Sequence, residues 1–437
     1  MRFRSDRLGS LDAMRRPVLI VVLATFVASM HVASASAAPN VKFGVQDDAW
    51  LADGPGTLQH RLDILQKLGV SIVRYTIHWD QVAPTQPVRA LASNDPAYRW
   101  TTADLVLSGL HERGIEPLVT LYGTPEWANG YRKANAPPSS WRTFSDFAYV
   151  VAKRYPFVRK WTIWNEPNQR LYLAGTSPNL YVKALLNPAY RAIHRANRRA
   201  LVAGGVTAPR GNSGGYGPLG WVRGLANAHA KLDAYAHNPY PTRPRETPLA
   251  GACGYCDVIS MSNLGRLSKQ VRHYLGNKPI WLTEYGYQTN PPDPFGVAPT
   301  LQASYIGEAA MRAYQLSGVS LLIQYLLKDE PQVDRFQTGL FTVHGTPKPS
   351  YSAFRFPLAQ VSRRGTRTGL WGQIRPGKGL RTYRLEVSNG RSWRWVGPNR
   401  QTNSAGAFAV TLDAPKGSLV RVWSPKDNAF GWPILIR

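Results

Sequence analysis

Short apolar runs alternate with amphipathic helical segments from residue 40 to about residue 357. The runs are almost continuously apolar, which is typical of parallel strands that are buried on both faces. They lie at 41–46, 71–79, 115–123, 158–166, 200–206, 232–240, 279–287 and 319–327. Eight strands that alternate with eight helices predict a (β/α)8 barrel over residues 39–358.

Helix end signals support this division. Residues 57–69 carry leucines on one stripe and end at Gly69, residues 101–114 begin with a threonine that we expect to be the cap, and residues 139–156 begin with serines. A doubly wound open sheet is the competing fold. It would favour a glycine-rich loop after the first strand, and FGVQDDAW (43–50) is not such a loop.

The pattern changes beyond Pro357 to an alternation of apolar and polar residues, as in antiparallel strands with one exposed face. Segments 382–397, 406–413 and 418–425 are separated by the turn signals AG and KG, and the first contains NG. We therefore predict a small antiparallel β-sandwich over residues 359–437. This region is strongly basic, with 14 Lys or Arg against three acidic residues, or +11 in 79 residues.

The whole chain is also basic, with a formal net charge of +27. Nucleic-acid binding is one interpretation of such a balance. The arginines are scattered through strand-like segments, however, so we expect no nucleic-acid partner. Attraction of the C-terminal region to an anionic cell envelope or an acidic polysaccharide is the preferred interpretation. An arginine-rich surface that only aids solubility remains open.

The N-terminus has the pattern of an export signal. Arg15 and Arg16 precede an apolar stretch that is short for a membrane span, and small residues follow it. We predict a signal peptide over residues 1–38, cleaved after Ala37 or Ala38, and no membrane span after cleavage. We therefore predict a secreted or cell-wall-associated protein, and we expect it to be a monomer. An uncleaved anchor is the alternative.

The two cysteines, Cys253 and Cys256, are separated by two residues. In a cytosolic chain this spacing would indicate thioredoxin-like chemistry or half of a zinc site. The export signal and the lack of a second cysteine pair favour a local disulfide instead. The nine histidines do not cluster, so we expect no catalytic metal, and the sequence indicates no cofactor.

Two glutamates end predicted barrel strands, which is where such barrels carry their chemistry. Glu166 ends the fourth strand in WTIWNEPN (161–168), and Glu284 ends the seventh in WLTEYGY (281–287). Acetal hydrolysis requires two facing carboxyl groups, one protonated to donate to the leaving oxygen and one ionised to attack the anomeric carbon. A structural bridge from either glutamate to an arginine is the alternative.

The neighbours of the two glutamates predict different protonation states. Trp161, Ile163 and Trp164 place Glu166 in apolar surroundings that raise the pKa of a carboxyl group. Arg74, which we place at the end of the second strand, and the hydroxyl of Tyr240 are the expected partners of an ionised Glu284.

WNEPN (164–168) and TEYG (283–286) resemble the strand-four and strand-seven motifs of glycoside hydrolase clan A, with families 39 and 5 the most alike. Residues 43–45 and 337–354 also resemble family 39, and the resemblance spans residues 41–356. It implies a retaining mechanism in which Glu166 is the general acid/base and Glu284 the nucleophile. Their carboxyl groups would lie about 5–5.5 Å apart.

The same resemblance implies sugar contacts. Asn165 would bind the sugar 2-hydroxyl, Tyr240 would hold the nucleophile, and His237 would contact the sugar. The chain departs from its relatives at the end of strand eight, where a tryptophan is common and Gln324 and Tyr325 stand here. Tyr325 is therefore a candidate substrate contact.

Aromatic residues follow several predicted strands on the same face. Pyranose rings pack their C–H faces on aromatic rings, so Trp50, Trp79 and Trp127 are candidate sugar-stacking residues, with loop packing as the alternative. The leading hypothesis is a secreted retaining glycoside hydrolase with a carbohydrate substrate. A non-hydrolytic carbohydrate-binding or envelope-associated barrel and a transglycosylase that uses the same glutamates are the alternatives.

Overall fold

Eight parallel strands close into a barrel in sequence order, in a computed structural model that describes residues 40–212, 214–243 and 246–437. The strands are β1 (Lys42–Gln46), β2 (Ile72–His78), β3 (Glu116–Tyr122), β4 (Lys160–Ile163), β5 (Leu201–Thr207), β6 (Ala234–His237), β7 (Ile280–Tyr285) and β8 (Val319–Tyr325). β1 pairs with both β2 and β8, which closes the ring. The predicted barrel is confirmed and the doubly wound sheet is excluded. The predicted signal peptide lies outside the described residues.

Helices surround the barrel. Those of seven or more residues are α2 (Leu58–Leu68), α4 (Thr101–Glu112), α6 (Trp141–Arg154), α8 (Asn187–Ala196), α9 (Pro218–Asn227), α10 (Gly265–Leu275), α11 (Pro299–Gln315) and α12 (Pro349–Arg355). Shorter ones are α1 (Asp48–Asp53), α3 (Trp79–Val82), α5 (Glu126–Asn129) and α7 (Pro178–Tyr181), and a π-helix at Val182–Leu186 precedes α8. Within the described part of the chain, none of these helices has the length and apolar character to cross a bilayer.

The helix ends agree with the sequence except at α4. The Thr57 side chain accepts a hydrogen bond from the His60 amide (3.2 Å) at the start of α2, and Gly69 ends that helix with a φ of 72°. The predicted threonine cap of α4 is wrong, because Thr101 is already helical and the N-cap is Trp100. Packing fixes Trp100, whose ring stacks on Tyr98 at 5.1 Å.

Two strands end well before their predicted ends. β4 ends at Ile163 and β6 at His237, three residues before the predicted ends at 166 and 240. After Ile163 the backbone leaves the extended region, since Trp164 has a φ of 70° and Glu166 a φ of 42°. Glu166 therefore follows β4 on a tight turn above the barrel.

The barrel interior is filled by a small, separate core of fully buried residues. Its residues are Ile72, Leu118, Ala203, Val206, Ala234, Ala236, Trp281, Leu321 and Ile323. A larger apolar core separates the outer face of the barrel from the helices. The barrel is thus packed below its mouth, and the open space for chemistry lies at the carboxyl ends of the strands.

The C-terminal strands form two antiparallel sheets, as the alternating pattern predicts. The first sheet has the order β13–β10–β9, with β9 (Leu358–Arg364), β10 (Arg367–Gln373) and β13 (Ala407–Asp413). The second contains β11 (Thr382–Ser388), β12 (Trp393–Gln401), β14 (Leu419–Ser424), β15 (Ala429–Phe430) and β16 (Ile434–Leu435). β9 and β10 lie outside the segments predicted from the sequence.

The first sheet is the middle layer between the barrel and the second sheet. One of its faces joins the barrel core through Trp371 and Ala407, and the Trp371 ring lies 5.4 Å from that of Tyr314 on α11. Its other face, with Leu370 and Phe408, packs against the second sheet in a separate core.

The junction between the barrel and the sheets also contains a buried cation. The Arg375 guanidinium lies between the rings of Phe43 and Phe354, at 4.2 and 4.1 Å from their centroids. Burial lowers the pKa of Arg375 to about 9.

Candidate active site

Glu166 is held in a strained backbone conformation. Its φ of 42° and the φ of 70° at Trp164 are in the left-handed region, which bulky residues rarely adopt. Backbone hydrogen bonds to two neighbouring strands hold the turn, from Glu166 to the Val206 carbonyl and from Trp164 to the Leu121 carbonyl, both 2.9 Å. Strain of this kind persists only where the surroundings impose it, and it clusters at functional sites.

The Glu166 carboxyl group is buried and is favoured in its protonated form. Its side chain receives a hydrogen bond from Asn238 Nδ2 to Oε1, at 3.0 Å. Burial and, second, the negative charge of Glu284 raise the pKa of Glu166 to about 8, while the Asn238 hydrogen bond and the Arg74 charge oppose the rise. Near pH 7 Glu166 therefore carries a proton that it can donate.

Glu284 near the end of β7 is equally buried but has different partners. The Arg74 guanidinium forms an ion pair with Oε1, and the Tyr240 hydroxyl donates to Oε2 at 3.0 Å. Both contacts were expected from the sequence. They supply a positive charge and a hydroxyl donor to one carboxylate, which is the support that an ionised nucleophile requires.

Arg74 connects the two glutamates. Its Nη1 contacts Glu284. Its Nη2 donates at 2.9 Å to Oδ1 of Asn165, which is the residue before Glu166. Further bonds to Gln46 Oε1 (2.7 Å) and Thr120 Oγ1 (2.9 Å) fix the guanidinium. These contacts bring the ends of β4 and β7 to the same face of the barrel.

The predicted place of Arg74 in its strand is wrong. It is in the first half of β2 (Ile72–His78) and not at the end of the strand. Because the arginine side chain is long, its guanidinium still reaches Glu284 at the end of β7.

Asn238 is a site residue that the sequence analysis did not select. Thr283 Oγ1 donates to its Oδ1 at 2.7 Å, so its amide nitrogen is directed towards Glu166. Since Thr283 precedes Glu284, Asn238 is a second link between the two strand ends. A polar residue directly after β6, two positions after the last apolar residue Ala236, was the available signal.

Three tyrosines surround the two carboxyl groups. The rings of Tyr240 and Tyr325 are edge to face at 6.2 Å, and Tyr325 also contacts Phe336 at 5.1 Å. Burial and the charge of Glu284 raise the pKa of Tyr325, and burial with the charges of both glutamates raises the pKa of Tyr172. Tyr172 was not predicted, because it lies in the irregular segment after β4 where the sequence shows no periodicity.

His237 does not contact the site, so its predicted sugar contact is wrong. The ring is fully buried, with Nδ1 at 2.8 Å from Thr207 Oγ1 and Nε2 at 3.2 Å from the Ile259 carbonyl. Burial lowers the pKa of His237 to about 4, so the ring is neutral and structural. Its side chain packs between β5 and the segment at Ile259, away from the barrel mouth.

Two of the three predicted stacking tryptophans are core residues. Trp79 is 1% exposed and stacks on Phe147 at 5.3 Å, and Trp50 on α1 is 7% exposed and belongs to the same apolar core. The Trp79 ring presents no face to a sugar, so that prediction is wrong, whereas Trp50 lines a cavity with Lys328 and Phe341 and its role in stacking stays a prediction. Trp127 is half-buried, and its indole N–H donates to the Ala83 carbonyl at 2.8 Å. Its role in stacking stays a prediction.

The loop between β6 and α10 contains the predicted disulfide, Cys253–Cys256. Asn263 Nδ2 donates to the Cys253 carbonyl at 2.9 Å and Arg266 Nη1 to the Cys256 carbonyl at 2.8 Å, so the bridge is fixed to the start of α10. Across residues 40–212, 214–243 and 246–437, no group of three or more His, Cys, Asp or Glu side chains is arranged to hold a metal ion.

Sequence comparisons match known glycosidases. A profile described as Glycosyl hydrolase family 1 matches residues 52–205, which include Glu166. A β-xylosidase from Caldicellulosiruptor saccharolyticus is 24% identical over 290 residues, which cover 59% of this chain and 56% of that protein. The chain therefore spans about half the length of the curated relative it matches.

Solved structures with a similar fold include a family 39 glycoside hydrolase from the gut symbiont Bacteroides cellulosilyticus WH2. It has a TM-score of 0.59 and 17% identity, over 87% of this chain and 81% of that one. A hyperthermophilic β-glucosidase from Pyrococcus furiosus has a TM-score of 0.51 and 17% identity, over 72% and 94%. At this identity the structures show the fold alone. With the sequence matches, they confirm the resemblance to clan A glycoside hydrolases.

Proposed function

We propose that this protein is a retaining β-glycosidase that hydrolyses glycosidic bonds by double displacement, with Glu284 as nucleophile and Glu166 as general acid/base. One observation supports this most directly: the two carboxyl groups are equally buried, but only Glu284 has a cation as its direct partner. Arg74 and Tyr240 both donate to Glu284, while burial raises the pKa of Glu166 to about 8. A protein that only binds sugars has no need of this asymmetry.

In the first step a Glu284 oxygen attacks the anomeric carbon. The bond from that carbon to the glycosidic oxygen breaks, and Glu166 transfers its proton to the leaving oxygen. The product is a glycosyl ester of Glu284 and a free alcohol. Because the negative charge of Glu284 is lost in the ester, one cause of the raised pKa of Glu166 is removed. Glu166 is then the carboxylate that the second step needs.

In the second step Glu166 accepts a proton from water as the water oxygen attacks the anomeric carbon. The ester bond breaks, Glu284 leaves as a carboxylate, and Glu166 is protonated again. Each step inverts the configuration at the anomeric carbon, so the two steps together retain it. Arg74 and Tyr240 receive the returning charge of Glu284 in positions that are already set, so little reorganisation is required.

Asn165 is the expected donor to the sugar 2-hydroxyl. Arg74 donates to Asn165 Oδ1, which fixes this side chain and directs its amide nitrogen away from Arg74. Tyr325 and Tyr172 are the expected walls of the sugar site. β-Xylosides are the first substrates to test, since the sequence relative is a β-xylosidase.

The test is hydrolysis of an aryl glycoside panel that contains β-xyloside, β-glucoside, β-mannoside, β-galactoside and α-arabinofuranoside. Proton NMR of the first-formed sugar should show the anomer of the substrate. A Glu166→Gln/Glu284→Gln double variant should be inactive, and Glu308→Gln, which changes a part-buried glutamate on α11, should keep full activity. An inverted product, or a double variant as fast as the wild type, would refute the mechanism.

The same panel separates the alternatives. Binding of oligosaccharides without release of reducing ends would indicate a non-hydrolytic barrel. Products longer than the substrate, detected by mass spectrometry, would indicate transglycosylation by the same two glutamates.

Export is part of the proposal and rests on the pattern of residues 1–38. Expression of the full chain in a secreting host should give a product in the medium or on the cell wall. Its N-terminal sequence should begin after Ala37 or Ala38. An intact N-terminus in the cell lysate would contradict this.

A further inference from the structure

The second C-terminal sheet has a buried face and an aromatic outer face. Leu385, Val387, Val420 and Val422 alternate inwards and pack in the core between the two sheets. The residues between them on the same strands point to the outer face of the sheet. Together with residues of β12 and β15 they form a group that we call the aromatic platform, which consists of Trp393, Trp395, Trp423, Phe430, Arg384 and Arg421.

The strand register makes the aromatic platform continuous. Arg384 on β11 pairs with Trp423 on β14, which pairs with Phe430 on β15. Glu386 on β11 pairs with Trp395 on β12 and with Arg421 on β14. Directly paired residues share a face, and four strands at about 4.8 Å span about 14 Å, which is the length of a short oligosaccharide.

Arginines order the rings of the platform. The Arg384 guanidinium lies 4.4 Å from the Trp395 ring, and that of Arg421 lies 3.8 Å from the Phe430 ring. Arg421 is ion-paired with Glu386 at 2.6 Å, and Arg384 Nε donates to the Gly397 carbonyl at 3.0 Å. The side chains are therefore held in place before any ligand arrives, which reduces the entropy cost of binding.

Two of the four rings of the aromatic platform are exposed although they are large, and the other two are part-buried. Trp395 is 39% exposed and Phe430 36%, whereas Trp371 in the middle layer is 4% exposed. Aromatic residues that cluster on a surface mark interaction sites more often than chance packing does. The region that carries the platform, residues 359–437, is also strongly basic.

We propose that the aromatic platform binds a polysaccharide that carries carboxylate groups. The aromatic edges and faces contact the C–H faces of pyranose rings, and the planar guanidinium of Arg384 matches a carboxylate with two parallel N–H donors. The net charge of +11 attracts a polyanion over a longer range. The choice of a sugar over another polyanion rests on the proposed glycosidase function.

The test is binding of the full chain to polygalacturonate, measured by calorimetry, with neutral galactan and single-stranded DNA as comparison ligands. Trp395→Ala and Arg384→Gln should each raise the Kd for polygalacturonate about tenfold. Two matched controls should leave it unchanged: Leu380→Ala, an exposed apolar residue off the platform, and Arg364→Gln, an exposed arginine on the first sheet.

Three results would overturn the proposal. The Kd could stay unchanged in both platform variants, galactan could bind as tightly as polygalacturonate, or single-stranded DNA could bind more tightly and lose this binding in Trp395→Ala. Hydrolysis of a small aryl glycoside should stay within twofold of wild type in the platform variants. Because that substrate is too small to reach the platform and the active site together, a failure of binding and a failure of catalysis can be told apart.

Discussion

The surroundings of Glu166 and Glu284 differ although both residues are 8% exposed. The side-chain amide of Asn238 donates to Glu166, and burial is the largest cause of the raised pKa of Glu166. A guanidinium and a hydroxyl donate to Glu284. Exposure to solvent therefore does not distinguish the two carboxyl groups. The donors that reach each group from other strands do, and four experiments can test this difference.

Removal of the Glu284 carboxylate should have the largest effect. Glu284→Gly should lower kcat on the order of 10⁴-fold or more, because no nucleophile remains to form the glycosyl ester. Azide, placed in the vacated space, should restore turnover and give a glycosyl azide of inverted configuration, identified by NMR. A glycosyl azide of retained configuration would mean that Glu284 is not the nucleophile.

Removal of the Glu166 proton should have an effect that depends on the leaving group. Glu166→Gln should lower kcat/KM for a disaccharide about 10²–10⁴-fold, the usual contribution of a general acid. For a dinitrophenyl glycoside, whose leaving group needs no proton, kcat/KM should fall less than tenfold. Glu308→Gln is the matched control for both substrates, and equal losses on the two would contradict the assignment.

Loss of the cation beside Glu284 should have a smaller effect on rate. Arg74→Met leaves a buried carboxylate without its partner, so we expect about 10²-fold lower kcat/KM and about 3 kcal/mol lower free energy of unfolding. Arg74→Lys should recover part of the rate, since it restores the charge but not the bridge to Asn165. Arg113→Met, which breaks a pair with the exposed Asp63, should change neither quantity measurably.

Loss of the Asn238 donor should shift a pH profile. In the wild type, kcat/KM should fall as the pH rises through about 8, because Glu166 then loses the proton that it must donate. The Asn238 hydrogen bond lowers the pKa of Glu166, so Asn238→Ala should move this alkaline limb upwards by about half to one pH unit. An exposed control, Asn389→Ala, should leave it in place. A downward shift would show that the amide does not stabilise the carboxylate.

The barrel and its two glutamates were predictable because each depends on local patterns. Eight apolar runs define the strands, and Glu166 and Glu284 lie at or near the ends of two of these runs. The partners of the glutamates depend on register between strands that are distant in sequence. Arg74 and Tyr240 were expected beside Glu284, but Asn238, 72 residues from Glu166, was not selected. No local pattern determines such contacts.

The predicted sugar contacts were less reliable for a geometric reason. Successive residues of a strand point to opposite faces, so a strand end does not say which side chains enter the mouth. His237 and Asn238 are adjacent, yet only Asn238 reaches the site. Trp79 follows β2 but starts the short helix α3, which turns its ring into the core.

Arg375, held between Phe43 of the barrel and Phe354 of α12, has a consequence for how the protein unfolds. If the C-terminal sheets separated first, Phe43 and Phe354 would lose the guanidinium packed between them, and the apolar barrel surface under Trp371 would be exposed to water. Calorimetry of the full chain should accordingly record one cooperative melting transition. Truncation after residue 358 is then a poor way to assign a role to the sheets, because it would compromise the barrel itself.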